Sequence, residues 1–301
     1  MHILLCDLRK YFVANDEMIY HKDMNKSIIT DQIDENLETA CEKIRAAGFD
    51  WADIHNVFGK SVEDCTKEEA ETIRNTLEKH GLKCGCVAST IFFMCPLNEE
   101  DEISLFKPEF KVHEGNLNDH LAALENACMV ADVLDTSLIR VFPFRFPDNK
   151  EGATTEAEMD KIVHNLRLAA DITEKHGKTL VLENCPYSRC PKGEMTMELT
   201  DRVNSPSLKL LWDPANSYRA VKKQVPDKYL THDIYEEKEL IADHIGWMHV
   251  KNYRDEGDRF AHVPLDEGDL DWKRLYFMDC ALEPELEPGQ VEGEMKLFSA
   301  L

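Results

Sequence analysis

"DKIVHNLRLAADITEKHGKTLVLEN", residues 160–184, carries the reading of the fold. Its first part repeats apolar residues at helical spacing: Ile162, Leu166, Ala169 and Thr173, with Met159 just ahead, trace one stripe. A glycine then turns the chain. The next residues, "TLVLE", form a continuous apolar run, as expected of a parallel strand covered on both faces. That run stops on a carboxylate, Glu183. Helix, glycine, apolar strand and terminal polar group make one unit.

The unit recurs. "ENLETACEKIRAAGFDWADIHNV" (35–57) places Leu37, Cys41, Ile44 and Ala47 on one helical face. Gly48 sits where a left-handed cap would end that helix. "ETIRNTLEKHGLKCGCVAST" (71–90) repeats the order, and its "EKHGLK" is nearly copied by "EKHGKT" 96 residues later. "HLAALENACMVADVLDTSLIRVFPF" (120–144) is a further copy, with Asp135 and Thr136 in the turn. Strands that alternate with helices pair in parallel, because parallel neighbours need a crossover. Eight strands are expected, at 2–6, 51–55, 82–89, 137–143, 178–183, 208–213, 245–251 and 289–295. With about seven helices, they predict an α/β fold of the (β/α)8 TIM barrel type. A doubly wound open sheet fits less well, since "CDLRKYF" after the first run has no glycine-rich turn.

No linker or low-complexity tract divides the chain, so residues 1–301 are expected to form a single barrel domain. The segments 91–116 and 217–235 are the long insertions. Both fall on the face of the barrel where such folds carry their sites.

The formal net charge of -23 disfavours phosphate backbones and anionic lipid, so neither a nucleic-acid nor a membrane partner is expected. The opening "MHILLCDLRK" is too short in apolar residues for a signal or a span. A cytoplasmic protein is therefore expected, with its ten cysteines as free thiols. Neither "CGC" (84–86) nor the pair Cys185 and Cys190 has zinc-site spacing.

Polar residues cluster at the predicted strand ends. Strand five ends at Glu183 and strand six, "LKLLWDPAN", at Asp213. Strand seven, "IGWMHVKNY", carries His249, and "GQVEGEM" carries Glu292 and Glu294. Asp213 alone would read as a helix cap. Together in barrel order, these charges would repel in a half-buried site unless something neutralised them, and a divalent cation does so directly. Mixed oxygen and nitrogen donors suit Mn, Mg, Co or Zn. In the last run, Val291 and Met295 are expected to face the helices, which turns both glutamates inward. Proximity to the rim favours Glu294 over Glu292.

The four segments "VLEN", "LWDPAN", "MHVKN" and "DEGDLDW" stand in the order "lEn", "lDpaN", "vHvKD" and "GeGdvdw". The chain thereby resembles the xylose isomerase-like TIM barrel superfamily, in its sugar phosphate isomerase/epimerase branch. The resemblance implies one divalent metal ion held by Glu183, Asp213, His249 and Glu294. It also implies an isomerase or epimerase acting on a sugar, sugar acid or polyol ketone. Glu183 and Glu294 would exchange a proton beside a carbonyl through a metal-stabilised enediolate. Lys251, on the same side of strand seven as His249, would neutralise developing charge or hold an anionic group. Asn216, Arg254, Arg140 and His55 are candidate substrate contacts. Dimers and tetramers are common in such enzymes, so a homo-oligomer is compatible. A dehydratase of the inosose or dehydroshikimate type is the nearest alternative. An apurinic endonuclease would need more histidines and a basic face. A non-catalytic binding barrel is argued against by the full set of polar strand ends.

The chain departs from the pattern in three places. Asn216 stands where some epimerases carry histidine, and Asn252 replaces the aspartate of "HvKD". "LEPELEPGQ" replaces a "GYdG" turn before the last expected strand. Only seven residues come after Glu294, so a full final helix is not expected.

Overall fold

The computed structural model describes residues 24–105 and 110–301. Eight parallel strands form the barrel: β1 (Lys26–Ile28), β2 (Trp51–Ile54), β3 (Lys83–Val87), β4 (Leu138–Val141), β5 (Thr179–Glu183), β6 (Leu208–Trp212), β7 (Ile245–Val250) and β8 (Cys280–Leu282). Each pairs with its sequence neighbour, and β8 pairs with β1. A parallel bridge between Ile29 and Asp53 joins β1 to β2 and closes the ring. The helices are α1 (Leu37–Ala46), α2 (Lys67–His80), α3 (Leu117–Val133), α4 (Glu156–Lys175), α5 (Gly193–Val203), α6 (Pro214–Tyr218), α7 (Ile234–Ile241), α8 (Trp272–Leu275) and α9 (Val291–Ala300), of which the short α6 starts at the barrel mouth, directly after Asp213.

The helices start and stop where local chemistry dictates. Thr66 and Glu69 cap α2 reciprocally, as Thr155 and Glu158 cap α4, so orphan backbone donors are met. Gly81 ends α2 in the left-handed conformation, with φ 68°. The predicted stripe of α4 is buried from Met159 to Thr173. Each large apolar side chain on it contributes roughly 1.5–3 kcal/mol.

Strand side chains alternate, and the alternation builds two cores. Leu180, Leu182, Leu210, Met248 and Leu282 face the helices. Ile29, Cys86, Val181, Leu211, Trp247 and Ala281 pack inside the barrel. Beneath the mouth lies a buried carboxylate, Asp53. It accepts from Ser27 Oγ (2.5 Å), Cys86 N (3.1 Å) and Trp247 Nε1 (3.0 Å). Burial pushes its pKa up to about 6, against the pull of these donors. Gly85 makes room for it, since a Cβ there would sit 2.5 Å from Asp53 Oδ1.

Two strands differ from the sequence reading. The expected strand at 2–6 lies outside the described residues, and the first barrel strand is the three-residue "KSI", with no apolar run to announce it. The expected strand at 289–295 is the start of α9. Val291 and Met295 are four residues apart, a spacing that suits one face of a strand or of a helix alike. Phe298, seven residues on and also buried, fits only the helix. The real eighth strand is "CAL", 280–282, and a ten-residue final helix comes after it. All nine described cysteines are free and buried.

Candidate metal centre

The inner rows of the barrel decide what reaches its mouth. Val181, Leu211, Trp247 and Ala281 point inward, so two residues on, Glu183, Asp213, His249 and Glu283 do so too. One donor atom from each of these four lies within 4.8 Å of all the others, and all four side chains are buried. Their strands are β5, β6, β7 and β8 in order. Glu183, Asp213 and His249 are therefore brought together as the spacing predicted.

Glu294 is not among them. It lies on α9, where Oε2 accepts from Leu265 N (3.1 Å) and Oε1 has no partner among the described residues. Glu292 is exposed on the same helix. The fourth carboxylate is Glu283, directly after β8. The apolar triplet "CAL" is too short to read as a strand, so Glu283 was hidden. The one available signal was "LEP", an apolar residue, a carboxylate and a breaker, echoing "LWDP" after β6.

Asp213 is both the helix cap its sequence allowed and a member of the cluster. Its Oδ1 accepts from Asn216 N (2.8 Å) and caps α6, while Oδ2 lies 2.8 Å from Lys251 Nζ without hydrogen-bond geometry. Asn184 fixes the backbone beneath it, exchanging hydrogen bonds with Asp213 N and O, each at 2.8 Å. Asn216 Nδ2 donates to Glu183 Oε1 (3.1 Å). Asn252 holds the loop beyond β7 by donating to Leu265 O (2.8 Å) and Leu270 O (3.0 Å). Gly268 of "DEGDLDW" allows that packing, because any Cβ would collide with the Asn252 side chain.

Two cations stand against the carboxylates. Arg140, on β4, donates Nη1 to Glu183 Oε2 (3.1 Å), with Glu283 Oε1 at 3.6 Å. Its other donors are taken by Ser89 O and Ala88 O, both at 3.0 Å. Lys251 Nζ meets Glu283 Oε2 (2.5 Å) and Glu285 Oε1 (2.9 Å) as well as Asp213. Burial works against the charge of Lys251, but these carboxylates hold its pKa well above the usual value. Burial also opposes ionised Glu283, yet Lys251 and His249 pull it well below the carboxylate range. Asp213 is raised to about 6 by burial, with Lys251 pulling the other way. For His249, burial disfavours the imidazolium, but Glu283 and Glu183 outweigh it and raise the pKa to about 10.

Glu183 and Glu283 of the cluster line a cavity of about 770 Å³, with Asp213 and His249 fully buried behind them. His55 lines it, buried, with Nδ1 3.0 Å from Asp31 Oδ2 and Nε2 unpartnered among the described residues. Arg140, Asn216 and Lys251 line it too. Arg254 does not: it is exposed on the hairpin of Asn252–Asp255 and Phe260–Val263, with Glu256 and Glu267 at 3.9 and 4.0 Å. Sequence reasoning missed Arg219, Tyr187 and Glu285, which loops outside the barrel strands bring to the wall, and His262, which the hairpin strand Phe260–Val263 brings there.

The family described as xylose isomerase-like TIM barrel matches residues 41–278. The chain belongs to this family. The matched region of this xylose isomerase-like barrel stops five residues short of Glu283. A comparison with curated proteins gives no match. Among solved structures, the chain is similar to the probable 3-DHS dehydratase AsbF of Bacillus anthracis, at TM-score 0.64 and 17% identity over 92% of this chain and 99% of that one. It is also similar to the IOLI protein with a binding zinc atom, at 0.62 and 15% over 91% and 93%. A third is D-psicose 3-epimerase in the presence of D-fructose, at 0.60 and 14% over 91% and 90%. At these identities the likeness is one of fold. Among the described residues, no helix is long and apolar enough to cross a membrane.

Proposed function

We propose that this xylose isomerase-like barrel is a divalent-metal-dependent isomerase or epimerase that moves a proton beside the carbonyl of a small polyhydroxylated substrate. The carrying observation is the convergence of Glu183, Asp213, His249 and Glu283 within 4.8 Å of one another, two of them, Glu183 and Glu283, lining the cavity. The donor set fits a divalent ion: three carboxylates and an imidazole, with both His249 nitrogens and Asp213 Oδ2 free of hydrogen bonds among the described residues. The zinc in the IOLI protein supports that reading. A bound ion would polarise a carbonyl oxygen as a Lewis acid.

The protein's own groups would do the rest. Glu183 and Glu283 both line the cavity and approach it from different strands, so a substrate between them meets a carboxylate on either side. Either can take a proton and the other return one. Arg140 orients Glu183, and the Lys251 ammonium, held charged, steadies negative charge as it develops. The D-psicose 3-epimerase likeness supports proton exchange without net loss of atoms.

Dehydration is the second reading, supported by the likeness to the probable 3-DHS dehydratase over 92% of the chain. The same proton abstraction then expels a β-hydroxyl.

Glu283→Gln is the test. Metal analysis of the wild type should find one divalent ion per chain, and the variant should bind it on the order of 100-fold more weakly while keeping its circular dichroism. In D2O, the wild type should exchange a carbon-bound proton of a ketose or hydroxy-ketone substrate and lose that exchange to a chelator. Appearance of ultraviolet absorbance from an enone would select the dehydratase. Undiminished exchange under chelation, or full metal content in a folded variant, would overturn the proposal.

A further inference from the structure

Seven carboxylates and three Lys or Arg side chains line the cavity among the described residues, so its wall is net negative. Two of the three cations are already engaged. Arg140 is bound to Glu183 and two carbonyls, and Lys251 to Asp213, Glu283 and Glu285. Arg219 is different. Among the described residues it has no carboxylate oxygen within 4.0 Å, and its guanidinium makes one hydrogen bond, Nη1 to Tyr187 Oη at 3.3 Å. Its buried Nε has no partner there.

The guanidinium is nevertheless held in place. It lies over the Tyr253 ring at 4.6 Å and the Tyr187 ring at 5.2 Å, cation–π contacts that hold its position. Glu285, whose charge acts on Arg219 from beyond 4.0 Å, makes its direct contacts elsewhere: to Lys251 (2.9 Å), to Tyr253 Oη (3.2 Å) and to His262 (3.0 Å). These contacts tie the Arg219 wall to the metal-ligand cluster through Tyr253, Glu285 and Lys251. A planar fork of donors, pre-oriented and without a direct ion pair among the described residues, matches a carboxylate in two parallel hydrogen bonds. A phosphate dianion would need more than one free cation, and the acidic wall repels it. A neutral polyol would leave the guanidinium uncompensated.

We infer that Arg219 anchors a carboxylate of the substrate, so that the site takes a small polyhydroxylated monocarboxylate in preference to a neutral or phosphorylated sugar. This deepens the metal-dependent reading and rests on that cavity being the active site. The reacting carbon then lies at the cluster and the carboxylate at the loop after β6.

The test is calorimetric titration of the full chain, ion-free and Mn²⁺-loaded, with D-gluconate, D-glucitol and D-glucose 6-phosphate. Gluconate should bind at least about 10-fold more tightly than either of the others. Arg219→Gln should weaken gluconate on the order of 10- to 100-fold and leave glucitol unchanged. Arg219→Lys, which keeps the charge and loses the fork, should retain part of the preference, and it decides the matter should Arg219→Gln not fold. Equal binding of gluconate and glucitol, no binding of either, tighter binding of the phosphate, or a preference that survives Arg219→Gln would overturn the inference. Mn²⁺ uptake without a carboxylate preference refutes the Arg219 anchor alone. A carboxylate preference in a protein that takes up no divalent ion supports the anchor and refutes the metal centre.

Discussion

Glu294→Gln separates the carboxylate that the last-strand pattern favoured from the one the fold uses. Glu294 is buried on α9, with one backbone donor, Leu265 N, and one oxygen without a partner among the described residues. Burial raises its pKa to about 7, with the Leu265 hydrogen bond pulling the other way. An unfolded glutamate titrates near about 4.3. The folded pKa is the higher one, so the stability contributed by the protonated group is fully present below about pH 4 and is lost as pH rises through 7. At about 1.4 kcal/mol per pKa unit, ionised Glu294 costs the fold up to about 4 kcal/mol at pH 8.5. Glutamine keeps the acceptor for Leu265 N and carries no charge. Urea unfolding should therefore find the variant equal to wild type near pH 4.5 and more stable by about 1–3 kcal/mol at pH 8.5, with divalent-ion uptake unchanged throughout. A variant no more stable at pH 8.5, or one that loses its ion, would refute this placement of Glu294.

Gly85→Ala should destabilise by about 1–3 kcal/mol in the same unfolding assay, because its Cβ would meet Asp53 Oδ1 at 2.5 Å inside a filled barrel; an unchanged midpoint would show that Asp53 is free to move. Arg140→Met should cost about 3–5 kcal/mol, since it strips the cation from buried Glu183 and leaves the carbonyls of Ala88 and Ser89 unmet. Its turnover should fall more than its apparent substrate affinity, measured as kcat against KM, if Arg140 serves to orient Glu183.

The repeated helix–turn–strand unit, the parallel barrel, the stripe of α4 and the three donors Glu183, Asp213 and His249 were all legible in the amino-acid sequence. These are local consequences of period: a strand's inward row continues two residues past its apolar core, so a polar residue there must enter the mouth. Lys251 was legible for the same reason, two residues past His249 and directly after β7, whereas nothing in the sequence set Arg140 apart from Arg254. The first and last strands were not, because β1 and β8 are three residues each and hold their place through register with neighbours rather than through an apolar run. Only the closed ring revealed that Glu283 completes the cluster and that Glu294, eleven positions later, belongs to a helix. Only the packed loops turned Arg254 outward and Arg219 inward. Periodicity is written along the chain, whereas closure of the ring and the folding-back of its loops arise from contacts between residues far apart in it, which no local pattern encodes.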